Sequence, residues 1–255
     1  MPATVRALYH YPIKGLSAQP LDEVTLHPGQ GFPADRVFGF ARPNSGFDPE
    51  NPRPLPKGKF VVLARDAGLA RLNTHVDQAA GMLTIKAPDA AASFDINDAA
   101  GRADAAAFIA AQLSYATEDT PTLYSAAPHR FTDVSGVSTA MINAISLINT
   151  DSVAAFSQSI GHDISPHRFR GNIHFDGMPA FSELERVGDT LQIGEAQITL
   201  VKRTQRCPAT EVNLETAERD LNVPAKLHET YGHRDMGVYA EVTKGGTIRP
   251  GDTIS

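Results

Sequence analysis

The chain has 255 residues, 42% of them hydrophobic and 20% charged, which is the composition of a globular protein with a full core and excludes a disordered chain. Its 23 basic and 29 acidic residues leave a formal net charge of -6, which excludes a protein built to coat nucleic-acid phosphate. No run approaches the roughly 18 consecutive apolar residues of a membrane-crossing helix.

In chain order, short β-prone runs fall at 5–11, 36–41, 59–65, 69–76 and 82–87, with turn residues between them. The turn Pro28-Gly29-Gln30-Gly31 separates the first two. A loop over 43–58 carries five prolines, which forbid continuous helix and disfavour a central strand, and its length marks it as functional or mobile. The alanine-rich stretch 103–113, with Asp104 near its start, has helical spacing and predicts one helix. A second is predicted over 152–160, capped by Thr150 or Asp151, ended by Gly161, with Val153, Phe156 and Ile160 on its apolar face.

The remaining runs read as strands at 172–176, 190–193, 197–202, 237–242 and 247–254, the last interrupted by Pro250-Gly251. There is no internal repeat, and neither half shows the regular βαβ alternation of a doubly wound sheet. The expected fold is therefore mostly β with a few helices (α+β), closed like a barrel.

Several chemistries find no support in the residue pattern. One cysteine and nine scattered histidines supply no zinc-ligand spacing, and the nearest histidine pair, His162 and His167, reads as solvated side chains of a turn-rich loop. No phosphate-cradling glycine loop and no Gly-x-Ser-x-Gly elbow occurs. The single cysteine, Cys207, cannot close an internal disulfide, and the segment from Met1 to Arg6 lacks the basic and then apolar pattern of a signal peptide. A cytoplasmic protein with no membrane attachment is the expectation.

What remains is a set of basic segments, each beside a predicted strand: Tyr11-Pro12-Ile13-Lys14-Gly15, Ala34-Asp35-Arg36-Val37-Phe38, Arg168-Phe169-Arg170-Gly171-Asn172-Ile173, and Arg206-Cys207 within 204–210. Alone, each reads as solvated charge or a surface ion pair worth less than about 1 kcal/mol, and a lone cysteine reads as a small buried hydrophobe. In this order they resemble the signature of MOSC-domain proteins, relatives of the C-terminal domain of molybdenum cofactor sulfurase, in the branch with an added N-terminal β-barrel. The mitochondrial amidoxime reducing components and their bacterial relatives belong to that branch. The family pattern is Tyr-Pro-Val/Ile-Lys-Ser, Asp-Arg, Arg-Pro-Asn-Ile, then Arg-Cys followed by Thr and often Val-Asp-Pro. It is met at Tyr11 to Lys14, Asp35-Arg36, Arg170 with Asn172-Ile173, and Arg206-Cys207 with Thr210. Gly237-Val238-Tyr239-Ala240 and 246–252 are similar to the family's closing strands. The chain departs from the pattern at Gly15 (Ser in the family), Gly171 (Pro) and Val212-Asn213-Leu214 (Val-Asp-Pro).

The resemblance implies an N-terminal β-barrel domain over 1–118 and a MOSC domain over 119–255. It implies molybdenum carried by molybdopterin as the cofactor, and not pyridoxal phosphate. Cys207 would be the metal's protein ligand, a soft thiolate suited to a metal already bound by dithiolene sulfurs. Lys14, Arg36, Asn149, Arg170, Asn172, Arg206, Thr210 and Tyr239 would hold the pterin and its phosphate. The implied activity is reduction of small N-hydroxylated substrates, amidoximes or N-hydroxylated bases. A separate electron donor of ferredoxin, flavoprotein or cytochrome type is expected, because the chain has no cysteines for an iron–sulfur cluster. The alternative is a non-redox sulfur carrier with a persulfide on Cys207, or a module that only binds the cofactor.

Overall fold

A computed structural model describes residues 2–125, 127–133 and 140–255. The first half holds β1 (Ala3–His10), β2 (Gln19–Leu21), β3 (Val24–Leu26), β4 (Phe38–Ala41), β5 (Asn73–Asp77), β6 (Met82–Lys86), β7 (Ala91–Asp95), α1 (Ala99–Gln112) and β8 (Thr122–Ser125). The second holds β9 (Ile145–Asn149), α2 (Thr150–Ile160), β10 (Ile173–Asp176), β11 (Thr190–Ile193), β12 (Ala196–Gln205), α3 (Val223–Tyr231), β13 (Asp235–Lys244), β14 (Gly246–Ile248) and β15 (Thr253–Ile254). The molecule is mostly β with three helices among the described residues, as its strand-rich pattern predicts.

The largest sheet runs β10-β9-β13-β12-β11-β15-β1-β2, and β1 also pairs with β10, so the sheet closes on itself. Alternating residues of its strands fill the interior: Val5 and Leu8 of β1, Ile198 and Leu200 of β12, and Val238 and Ala240 of β13 are all at most 1% exposed. Closure removes the edges that would otherwise present unpaired backbone. Pairing is antiparallel except for β9 with β10, which run parallel because α2 carries the chain back between them.

A second body is built on β5-β6-β7, the β4-β8 pair and α1. Leu83 and Ile85 of β6 point inward and meet Ile109 and Ala105 of α1, with Ile13, Leu16 and Phe40 on the far side. Asp98 caps α1 by accepting from the amides of Ala100 (3.0 Å) and Gly101 (3.1 Å). A Cβ at Gly101 would stand 2.1 Å from the Asp95 carbonyl oxygen, so glycine lets the helix begin against the end of β7.

Local departures from the expected elements have physical reasons. The run 59–65 is not a strand. Its residues alternate between two cores, Val61 and Leu63 in that of the second body and Phe60 and Val62 in an aromatic cluster with Phe47 and Phe131, while only Phe60 finds a bridging partner, Ala41. The run 69–76 divides into a 3-10 turn, Ala67–Arg71, and β5. Helix α1 starts four residues before the expected 103, at the Asp98 cap and not near Asp104. Helix α2 is capped by Asn149, one residue before the expected Thr150 or Asp151, and ends at Gly161 with φ 64° as expected. Helix α3 was not expected, although Asn222 caps it, Pro224 stands in its first turn and Gly232 ends it.

Candidate functional site

A cavity of about 320 Å³ lies where the two bodies meet, and every basic segment singled out in the sequence reaches it. Lys14 follows β1, and its amide donates to Phe38 O (2.9 Å), which holds it beside β4. Arg36 is set by its amide bond to Tyr11 O (2.8 Å), and Arg170 closes the 3-10 turn Pro166–Phe169. Cys207 stands directly after β12, at the start of the 3-10 turn Pro208–Glu211, half-buried. Thr210 fixes that turn by donating from Oγ1 (2.9 Å) and from its amide (3.0 Å) to Cys207 O.

The cavity is strongly cationic in an acidic protein. Lys14, Arg36, Lys57, Arg168, Arg170, Lys202, Arg203 and Arg206 line it, against Asp35 and Asp133 among the described residues. Some of this charge is neutralised locally: Arg36 pairs with Asp35, and Lys14 with Asp133 and Phe131 O (2.8 Å). Arg168, 4% exposed, forms a two-pronged pair with Asp220 at 2.7 Å on both arms.

Arg170 and Arg206 make no ion pair among the described residues and are held by backbone carbonyls instead. Arg170 donates to Leu16 O (2.7 Å), and Arg206 donates to Phe169 O (2.8 Å) and Met236 O (2.8 Å). Burial draws each guanidinium down to about 10, and for Arg170 the like charge of Arg36 adds to the effect. Both Arg36 and Arg170 stack on Tyr11, at 4.5 and 4.3 Å from its ring centre, so one aromatic ring steadies two like charges. Burial pushes the Tyr11 phenol up to about 12.

Of the residues expected at the site, Cys207, Lys14, Arg36, Arg170, Asn172, Arg206, Thr210 and Tyr239 all line the cavity. Asn172 is already engaged: it donates to Tyr9 O and Asp35 Oδ1 and accepts from Ser146 N, each at 3.1 Å. The structure does not bring Asn149 to the cavity. Its side chain caps α2 and donates to Glu183 (3.1 Å) at full burial, because strand β9 delivers it to the helix start.

Lys57, Asp133 and Thr204, like Lys202 and Arg203, line the cavity without having been expected there. Lys57, from the proline-rich loop, lines the same cavity as Cys207; burial works against its charge, but the influence of Cys207 and Asp133 outweighs burial and raises it. Asp133 neutralises Lys14. Thr204, 2% exposed and three residues before Cys207, has a hydroxyl that finds no partner among the described residues. The loop's length was the only hint of Lys57, and nothing local marked the other two.

Two departures from the family pattern have steric grounds. Gly15 has φ 84°, and a Cβ there would lie 2.8 Å from Val61 O. At Gly171 a Cβ would meet Ile148 Cγ1 at 2.4 Å, so this chain has no room for a larger residue there.

Fold and site together define a two-body β protein with a cysteine-bearing cationic cavity between the bodies. Comparison with known families agrees: the MOSC N-terminal beta barrel domain matches residues 2–137 and the MOSC domain matches 134–255. The chain belongs to the MOSC-domain family, which is associated with binding of the molybdenum cofactor. No curated protein matches it. Among solved structures it is similar to the YUAD protein from Bacillus subtilis (14% identity, 100% of this chain and 94% of that one, TM-score 0.48). It is also similar to YiiM from Geobacillus stearothermophilus (20%, 43% of this chain and 52% of that one, TM-score 0.34) and YiiM from Escherichia coli (18%, 44% and 52%, TM-score 0.32).

The side chains present fit a group of that kind. Among the described residues, Arg170 and Arg206 offer half-buried cationic donors without carboxylate partners, Thr204 offers an unused hydroxyl, and Cys207 a soft ligand. No cluster of three or more His, Cys, Asp or Glu able to hold a bare metal ion occurs among the described residues, so a metal on Cys207 would draw its other ligands from the group that carries it. No helix among the described residues is long and apolar enough to cross a membrane.

Proposed function

We propose that the chain is a molybdenum-cofactor oxidoreductase that reduces N-hydroxylated substrates, amidoximes or N-hydroxylated bases, with electrons from a separate donor protein. The observation that carries this reading is the position of Cys207 in a cavity where Arg170 and Arg206 make no ion pair among the described residues. A molybdenum cofactor bound there would supply two electrons and accept the substrate's oxygen atom.

The protein's own residues do the holding. Cys207 would ligate the metal through its sulfur, and Arg170, Arg36 and Arg206 would attract the anionic end of the pterin, the guanidinium groups of Arg170 and Arg206 held beforehand by the carbonyl bonds described above. Preformed donors cost no reorganisation when the anion arrives. Lys57 lines the same cavity, where its ammonium would add to the positive charge around Cys207. Lys14, compensated by Asp133, contributes less net charge to the cofactor than its position suggests.

Protein purified with molybdopterin should contain stoichiometric molybdenum and reduce benzamidoxime with a chemical or flavin donor, and Cys207→Ala should abolish both molybdenum retention and turnover. Full activity in Cys207→Ala would overturn the ligand assignment. Metal-free protein that releases sulfur to cyanide would favour a persulfide carrier on the same cysteine.

A further inference from the structure

The turn that carries Cys207 belongs by sequence to the second half of the chain, yet it packs against the first. Val212 is part of the core of the β5-β6-β7 body, with Ala209 and Leu214 packed on that core. One guanidinium ties the two together. Arg219 pairs with Val212 in an isolated bridge, and its Nη1 donates to Pro208 O (2.8 Å) and to Glu211 Oε2 (3.3 Å). Its Nη2 donates to Leu63 O (3.0 Å) and Ala64 O (2.9 Å). Both of those residues line the cavity, as Cys207 does, while Arg219 is 34% exposed.

We propose that Arg219 is a positioning residue: its fork fastens the Cys207–Pro208 turn to the 63–64 wall and so sets where the sulfur stands in the cavity. Four acceptors divided between two segments need the planar, divergent donors of arginine, which the single ammonium of lysine cannot reproduce. No other side chain among the described residues bonds to both segments. The consequence for catalysis rests on Cys207 being the metal ligand, but the clasp itself does not.

The test uses the metal-free full chain, in which Cys207 is the sole cysteine and therefore the sole site of thiol alkylation. Arg219→Met and Arg219→Lys are compared with the parent protein for the rate of iodoacetamide reaction, for amide hydrogen exchange over 60–66 and 207–212, and for Tm. Loss of the clasp should speed alkylation and exchange in both segments about tenfold in both variants, with exchange in β5–β7 unchanged. Alkylation and exchange within about twofold of the parent, with only a lowered Tm, would make Arg219 an ordinary stabilising contact and overturn the proposal. Should Arg219→Met not fold, Arg219→Lys, which keeps the charge and the stem, decides alone. Accelerated alkylation upholds the clasp whatever the molybdenum content after loading, and the ligand reading stands or falls separately on Cys207→Ala.

Discussion

At the scale of single residues, the site concentrates unfavourable conformations and unfavourable charge. Ala34, Arg36 and Arg170 are non-glycine residues at φ 59°, 50° and 53°, each costing on the order of 1 kcal/mol, and two of them are cavity arginines. The surroundings over-determine them: the Arg170 carbonyl accepts from Arg36 Nη2 (3.0 Å), and Asp35 between the other two accepts from the Tyr11 amide (2.8 Å). The Arg168–Asp220 pair shows the same economy of charge. Arg168 hydrogen bonds hold the Asp220 carboxyl down at about 2, against an ordinary 3.8. A depressed carboxylate stabilises the fold above its ordinary value, and that contribution is lost as pH falls from about 4 toward 2. Asp220→Asn should therefore cost about 3 kcal/mol near pH 7, by leaving a buried guanidinium without its counter-ion. The cost should shrink toward zero near pH 2, as read by urea unfolding at both pH values. Cys207, Arg206, Arg170, Arg36 and Lys14 were legible because their chemistry is carried by residue type within short segments. Lys57, Asp133 and Thr204 were not, because what makes them special is a neighbour that lies far off in sequence, or a missing one.

At the scale of elements, α2 shows how a polar residue can be legible and its duty still hidden. An asparagine between a strand and a helix suits both a ligand contact and a cap, and only the direction of its side chain separates the two. Asn149 caps α2 and, with Ser152, supplies the donors that surround the buried Glu183 carboxylate, whose proton affinity burial raises. Asn149→Ala should lower stability by about 1–2 kcal/mol in urea unfolding and leave the molybdenum content of loaded protein unchanged. Loss of molybdenum with stability intact would return Asn149 to the cofactor. The strand expected over 59–65 misled for a related reason: its alternation is real, but both of its faces are buried in different cores and almost no partner strand lies alongside. Side-chain period reports which faces are buried and says nothing about whether a ladder forms.

At the scale of the whole molecule, the two bodies are not consecutive stretches of chain. Strand β1 lies between β15 and β10, and β3 pairs with β14, so residues 3–26 complete a barrel whose other strands begin at Ile145. A division at 118–119 would separate β1 from β10 and β15 and leave it only β2. The fragment 119–255 is therefore expected to unfold without a cooperative transition by circular dichroism, while the full chain unfolds cooperatively. A cooperative transition in the fragment would show that the barrel closes without β1.

The amino-acid sequence by itself determined the strand-rich class, most strand positions in the second half, the two longer helices and the basic segments that reach the cavity, because each of these follows from local periodicity, caps or the order of short motifs. Only the tertiary structure decided that β1 closes the barrel, that Lys57 joins the Cys207 cavity, that Asn149 turns to Glu183 and not to the cavity, and that Arg219 joins the cysteine turn to the 63–64 segment. Each of those depends on two segments meeting across tens or hundreds of residues, and local pattern carries no record of which surface a side chain will find.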